Sequence, residues 1–392
     1  MNVDELRAET EGVDHRIHLN NAGAALMPRS VVDRVTEHLH LEARIGGYEA
    51  AAAAADEIDA AYGHVASLMN AAPDEIAFVE NATVAVAQAL SAIPFQAGDV
   101  LLTTRSDYVS NQVMYLSLEE RLGVEVVRAP DGEEGGVDPL AMQELIHRRR
   151  PRLVAVTHVP SFSGLVQPVE EIGAVCREER VPYLVDACQS VGQMPVDATT
   201  IGCDFLAATS RKFLRGPRGC GFLYVARSAL DEGYTPLFPD LRGADWITDE
   251  LYQPVDDARR FENWEFAYGL VLGTGEAARL AESVGLEAIR DRARGLADRL
   301  REGLRELPGC HVMDGGPELG AIVTAALQEA DPARIVRRLR AREVNTSHIE
   351  RGSAVLAFDE QGVEAVLRLS PHYYNTEDEV DRALAILEEE LA

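Results

Sequence analysis

The stretch Thr209-Ser210-Arg211-Lys212-Phe213-Leu214-Arg215-Gly216-Pro217-Arg218-Gly219-Cys220-Gly221 decides how this chain reads, because Lys212 is the only lysine among 392 residues. Where other positions need a permanently cationic side chain, the chain uses arginine. A guanidinium serves wherever charge alone is needed, but it stays protonated and cannot attack as an amine. A solitary lysine therefore points to amine chemistry, of which a Schiff base with an aldehyde is the plainest case. The adjacent arginine and nearby backbone dipoles would depress its pKa toward the neutral form that such chemistry needs. Composition alone allows a lone surface ammonium just as well, so the neighbours must decide.

Leu184-Val185-Asp186-Ala187-Cys188-Gln189 is an apolar run that ends in an acid. It reads as a buried parallel strand with Asp186 at its carboxyl end, the edge where open α/β sheets bind ligands. A second short strand, 204–209, delivers Lys212 to the same edge. Pyridoxal phosphate needs this pair: a lysine to hold its aldehyde, and a carboxylate to keep the pyridine nitrogen protonated. Asp186 would also suit a helix N-cap, and the two roles can coexist. Upstream, the strand Ile76-Ala77-Phe78-Val79 runs through Asn81-Ala82-Thr83 into an apolar helix from Val84 to Leu90. Backbone donors and the dipole at a helix start favour a phosphate. Asn81, Ala82 and Thr83 are thus a candidate phosphate cradle, with Thr83 as side-chain donor, although the same atoms could do no more than cap the helix.

The constellation resembles the fold-type I pyridoxal phosphate enzymes of the aminotransferase class V family, which includes cysteine desulfurases, isopenicillin N epimerase-like proteins and the C–S lyase of ergothioneine synthesis. The likeness runs from His18-Leu19-Asn20-Asn21-Ala22-Gly23 to Tyr373-Tyr374-Asn375-Thr376. It implies an α/β fold with a large domain at 16–265 on a mainly parallel sheet of the seven-stranded type. A smaller α+β carboxy-terminal domain at 266–392 and an amino-terminal arm at 1–15 complete it. By the same resemblance, Ala22, Gly23 and Ala24 approach the substrate carboxylate, and Arg368 grips it. Ser161 and Gln189 lie near the phenolic oxygen of the cofactor, and Thr209 and Arg211 near its phosphate. Tyr108 takes the place of a ring-stacking histidine of the desulfurases. A homodimer with shared active sites is implied, in which residues near Asn263 and Trp264 reach the neighbouring subunit's cofactor. His158, at the end of the apolar run 153–159, reads as a structural histidine.

The implied reaction begins with proton removal from Cα of an L-α-amino acid by Lys212, above Asp186. Desulfurases also carry a mobile cysteine in the interval that corresponds to 345–367, and none stands there. That argues against a persulfide mechanism. The run 211–219 most resembles the ergothioneine-pathway sulfoxide lyases, which favours C–S β-elimination from an S-substituted cysteine or its sulfoxide. An aminotransferase, an epimerase, or a non-catalytic regulator that binds the cofactor are the alternatives.

Composition sets further bounds. With 46% hydrophobic residues the chain can bury a large core. A net charge of −28 argues against nucleic acid or anionic membrane as partner. The five cysteines show no CxxC spacing, which speaks for reduced, mostly buried thiols and no metal site. Residues 1–5 lack the marks of a signal peptide and no run could span a bilayer, so a cytoplasmic location is expected. A loop is expected over 234–257, a long helix or helix pair over 271–306, and a short antiparallel sheet from 321–324 and 366–370.

Overall fold

The computed structural model describes residues 1–392. Its centre is a sheet of seven strands: β1 (Ile76–Val79), β2 (Val100–Thr103), β3 (Glu125–Arg128), β4 (Leu153–Thr157), β5 (Tyr183–Asp186), β6 (Phe205–Thr209) and β7 (Gly221–Val225). The spatial order is β1-β7-β6-β5-β4-β2-β3. Every residue of β1, β2, β4, β5, β6 and β7 is buried, whereas edge strand β3 is not. Covered on both faces, such strands read as unbroken apolar runs.

Only β7 runs against the other strands of the sheet. The connection from β6 to β7 is the lysine loop, and it contains no helix. A parallel return needs a crossover of a dozen residues or more, usually helical, so the short loop sends the chain straight back. Because β7 opposes both β1 and β6, those two run the same way. The carboxyl ends of β1, β2, β4, β5 and β6 therefore share one edge.

A second sheet, all antiparallel, has the order Cys310–Val312, Val323–Leu327, Ala365–Leu369, Ser347–Glu350. Helices Leu286–Glu306, Pro332–Ala341 and Glu377–Leu391 accompany it. Two short pairings join the amino-terminal segment to this part of the chain: Ile17–His18 runs parallel to Val344–Asn345, and Asn20 bridges Ser370. Leu165 likewise bridges Leu319.

The expected helix pair is Tyr268–Val284 and Leu286–Glu306, broken at Gly285, whose φ of 91° no ordinary side chain favours. The loop expected over 234–257 needs correction. Ala244–Thr248 and Leu251–Pro254 form an antiparallel hairpin with Trp246 opposite Tyr252. Its polar residues and proline hid the strand signal, because it projects from the body and buries neither face. No helix is long and apolar enough to cross a membrane.

Candidate active site

Lys212 follows β6, is 7% exposed, and its side-chain amine has no hydrogen-bonding or ion-pair partner. Burial pushes its ammonium pKa down. Cys188 and Asp186 oppose that shift, while Arg211 and Arg368 add to it. The neutral amine needed for attack on an aldehyde is thereby favoured. Its Nζ lies 5.7 Å from the centroid of the Tyr108 ring.

Asp186 ends β5 and is 4% exposed. Its Oδ1 accepts from the Cys188 backbone N–H at 3.0 Å, and its Oδ2 from Asn111 Nδ2 at 2.9 Å. Asn111 stands in the first turn of the helix Val109–Leu122 and also donates to Asp107 Oδ1 at 3.1 Å. Asp107 is a second buried carboxylate. It accepts further from Thr103 Oγ1, the Tyr108 backbone N–H, Gln112 Nε2 and the Thr157 hydroxyl. Burial raises its pKa against the pull of those donors, led by Thr157 and Asn111. Sequence reasoning missed Asn111 and Asp107. The signal available was a carboxylate just ahead of the helix cap Tyr108 with an amide four positions on, in the first turn of the helix.

At the end of β1, Asn81 caps the helix Ala82–Ala92 by accepting from the Val84 N–H at 3.1 Å. The first-turn N–H groups of Ala82 and Thr83 have no partner within the helix, the ordinary state of a helix start. Thr83 itself is exposed and its hydroxyl has no partner in the chain. Asn263 reaches the same corner within its own chain, with Nδ2 donating to Glu80 Oε1 at 3.3 Å, and the indole of Trp264 is exposed beside it. Gly221 lies between Val79 and Thr209. A Cβ there would stand 2.9 Å from the Asn81 backbone and 2.7 Å from the Ala208 carbonyl oxygen, so only glycine lets the cradle close against β6.

The Ala22-Gly23-Ala24 loop meets the site through its carbonyls. Gln189 Nε2 donates to the Ala22 oxygen at 3.2 Å, and the Arg211 guanidinium donates to that of Gly23. Arg211 therefore points at this loop, while the Thr209 hydroxyl donates to the Cys220 carbonyl at 3.4 Å. Arg368 comes from the second sheet, is 6% exposed and has no carboxylate partner. Its Nη1 donates to the Ser161 carbonyl at 2.9 Å and its Nη2 to Asn20 Oδ1 at 3.3 Å, while Nε has no partner. Burial, helped by Arg211, pushes its pKa down to about 10. A buried guanidinium with an unused donor is suited to a carboxylate. Ser161 thus enters through its carbonyl, and Asn20 joins the site unforeseen. His158 is buried, its Nδ1 unpartnered; desolvation lowers its pKa to about 4, so it stays neutral.

These residues fit pyridoxal phosphate. Gln189 Oε1 is buried without a partner, an acceptor that a phenolic hydroxyl would satisfy. The helix start at Asn81-Ala82-Thr83 offers backbone donors for a phosphate, Asp186 holds two aligned acceptor oxygens for a ring N–H, and Lys212 presents an amine.

Fold and site together define a pyridoxal phosphate enzyme of fold type I. The aminotransferase class V family model matches residues 17–383, and the chain belongs to that family. Among its relatives are a probable cysteine desulfurase of Methanothermobacter thermautotrophicus, 29% identical over 99% of this chain and 98% of the relative. A probable hercynylcysteine sulfoxide lyase of Mycobacterium tuberculosis is 30% identical over 93% of this chain and 88% of the relative. Among solved structures, the apo cysteine desulfurase of Thermococcus onnurineus NA1 superposes with a TM-score of 0.90 at 26% identity, covering 99% of this chain and 98% of that one.

Proposed function

We propose that this enzyme cleaves a C–S bond by β-elimination from an S-substituted L-cysteine or its sulfoxide, without forming a persulfide on the protein. The observation that carries this reading is the segment 345–367, which pairs Ser347 directly with Arg368 and contains no cysteine. Tyr108, standing where the resemblance places a ring-stacking histidine in desulfurases, supports the same reading, as does the relative named as a probable sulfoxide lyase.

Pyridoxal phosphate supplies an aldehyde that condenses with amines and a ring that accepts the electron pair of a bond broken at Cα. Lys212 would hold it, Asp186 would accept from its ring N–H, and Ala82 and Thr83 would bind its phosphate through their backbone. Arg368 binds the substrate carboxylate, which fixes how the Cα–H bond points. Lys212 Nζ takes the Cα proton. The Cβ–S bond then breaks with its electron pair on sulfur, and the leaving sulfur picks up a proton. The three-carbon remainder takes up water and leaves as pyruvate and ammonium.

A homodimer belongs to the same proposal. Trp246 and Phe238 are 81% and 80% exposed on and beside the projecting hairpin, and apolar side chains so displayed favour an interface.

Two measurements test the reading. Borohydride reduction of the holoenzyme followed by peptide mapping should place a pyridoxyl group on Lys212, and an unmodified Lys212 peptide would overturn the cofactor assignment. Incubation with S-methyl-L-cysteine or its sulfoxide should release pyruvate and ammonium in equal amounts. Amino transfer to a keto acid without pyruvate would mean an aminotransferase, and loss of optical activity alone an epimerase. Alanine production with sulfur retained on a protein thiol would mean a desulfurase.

A further inference from the structure

Along the helix Val109–Leu122 lies a groove of about 250 Å³ that the reaction described above does not use. Val113, Leu116, Phe162, Val355 and Leu356 give it a mainly apolar lining, and Arg105 and Arg128 add two guanidinium groups. Two of its lining segments flank residues of the candidate site. Asp107 and Val109 line it, and between them stands Tyr108, whose ring neighbours Lys212. Phe162 lines it too, and the preceding Ser161 carbonyl accepts from Arg368. A thiol would leave such a space almost empty, because the groove has room for a substituent on the order of ten heavy atoms.

Its charges are unevenly matched. Arg105 is paired with Asp131 and Glu360. Asp107 has both oxygens occupied by five donors. Arg128 has no carboxylate partner; its Nε and Nη2 both donate to Gln112 Oε1, at 2.9 and 2.7 Å. In a chain of net charge −28, an arginine in a groove whose only hydrogen-bond partner is a neutral amide leaves a place for an anion.

Building on the C–S lyase reading, we propose that this groove receives the sulfur substituent of the substrate. It selects a bulky, largely apolar group that ends in an anion, with Arg128 as the anion's partner.

The test uses three ligands: S-(4-carboxybenzyl)-L-cysteine, its neutral isostere S-(4-carbamoylbenzyl)-L-cysteine, and S-methyl-L-cysteine. Calorimetry on Lys212→Ala holoprotein, which cannot turn them over, gives dissociation constants. The carboxybenzyl ligand should bind about tenfold tighter than the carbamoyl one, the scale of one charge-assisted hydrogen bond. Arg128→Gln in the same background should bring that ratio to about one. Val355→Trp, at a partly exposed lining position, should weaken both benzyl ligands about tenfold relative to S-methyl-L-cysteine, as a groove filled by an indole would. A ratio near one in the parent, a ratio that survives Arg128→Gln, or equal weakening of all three ligands by Val355→Trp would overturn the assignment. Pyruvate release by the lysine-bearing enzyme is measured separately. Its absence, with the binding pattern intact, removes the lyase chemistry and leaves the pocket standing.

Discussion

Asn111 bridges two buried carboxylates, and its amide is the one neutral donor that reaches both Asp107 and Asp186. The hydrogen bond donated to Asp186 Oδ2 fixes how that carboxylate is turned, and so how it would meet the ring N–H of the proposed cofactor. Asn111→Leu should therefore lower kcat about 10- to 100-fold, the range of one hydrogen bond to a charged group, and shift the absorbance of the bound cofactor. A purely structural role would lower stability without that spectral change. His372 offers a prediction of the opposite kind. It is buried, its Nε2–H donates to the Phe213 carbonyl at 2.7 Å, and burial with Arg215 nearby pushes its pKa down to about 3. The unfolded chain protonates it near 6.5, so between pH 6.5 and about 3 the unfolded state binds one more proton and acid destabilises the fold. His372→Gln should make the stability–pH slope in that window shallower by about 1.4 kcal/mol per pH unit, measured by urea unfolding.

The helix Ala82–Ala92 and strands β6 and β7 act as one element at the cradle, and Gly221 sets how closely they meet. Gly221→Val would force its side chain against the Asn81 backbone and the Ala208 carbonyl. Overpacking of this sort costs about 1–3 kcal/mol. Melting temperature should fall, and cofactor affinity should fall with it, read by dialysis against cofactor-free buffer; unchanged affinity would separate the cradle from this contact. At this scale the sequence was most legible in β1, β4, β5 and β6. Burial on both faces leaves a continuous apolar run that needs no knowledge of neighbours. The hairpin at 244–254 was illegible for the converse reason. It buries neither face, so no alternation of apolar and polar residues marks it, and only its backbone pairing defines it.

For the whole molecule, charge and shape meet at the exposed hairpin. A dimer made through Trp246 and Phe238 brings together two chains of net charge −28 each, so added salt screens their repulsion. Sedimentation should show a dimer whose dissociation constant falls as ionic strength rises, and Trp246→Ser with Phe238→Ser should yield a monomer. A wild-type monomer at all concentrations would end the idea of a shared site.

The candidate amine, acid and phosphate cradle stand in local order: a sole lysine after one strand, an aspartate ending another, a helix start after a third. Such features follow from the chemistry of a few consecutive residues and the edge rule of parallel sheets. The tertiary structure alone decided what stands between them. Asn111 meets Asp186 across 75 positions, and Arg368 meets Asn20 across 348. It also decided that Arg128 lines a mainly apolar groove with no carboxylate paired to it. Hydrogen bonds and charge pairs form between whatever folding brings within about 3 Å, and no spacing along the chain encodes that distance.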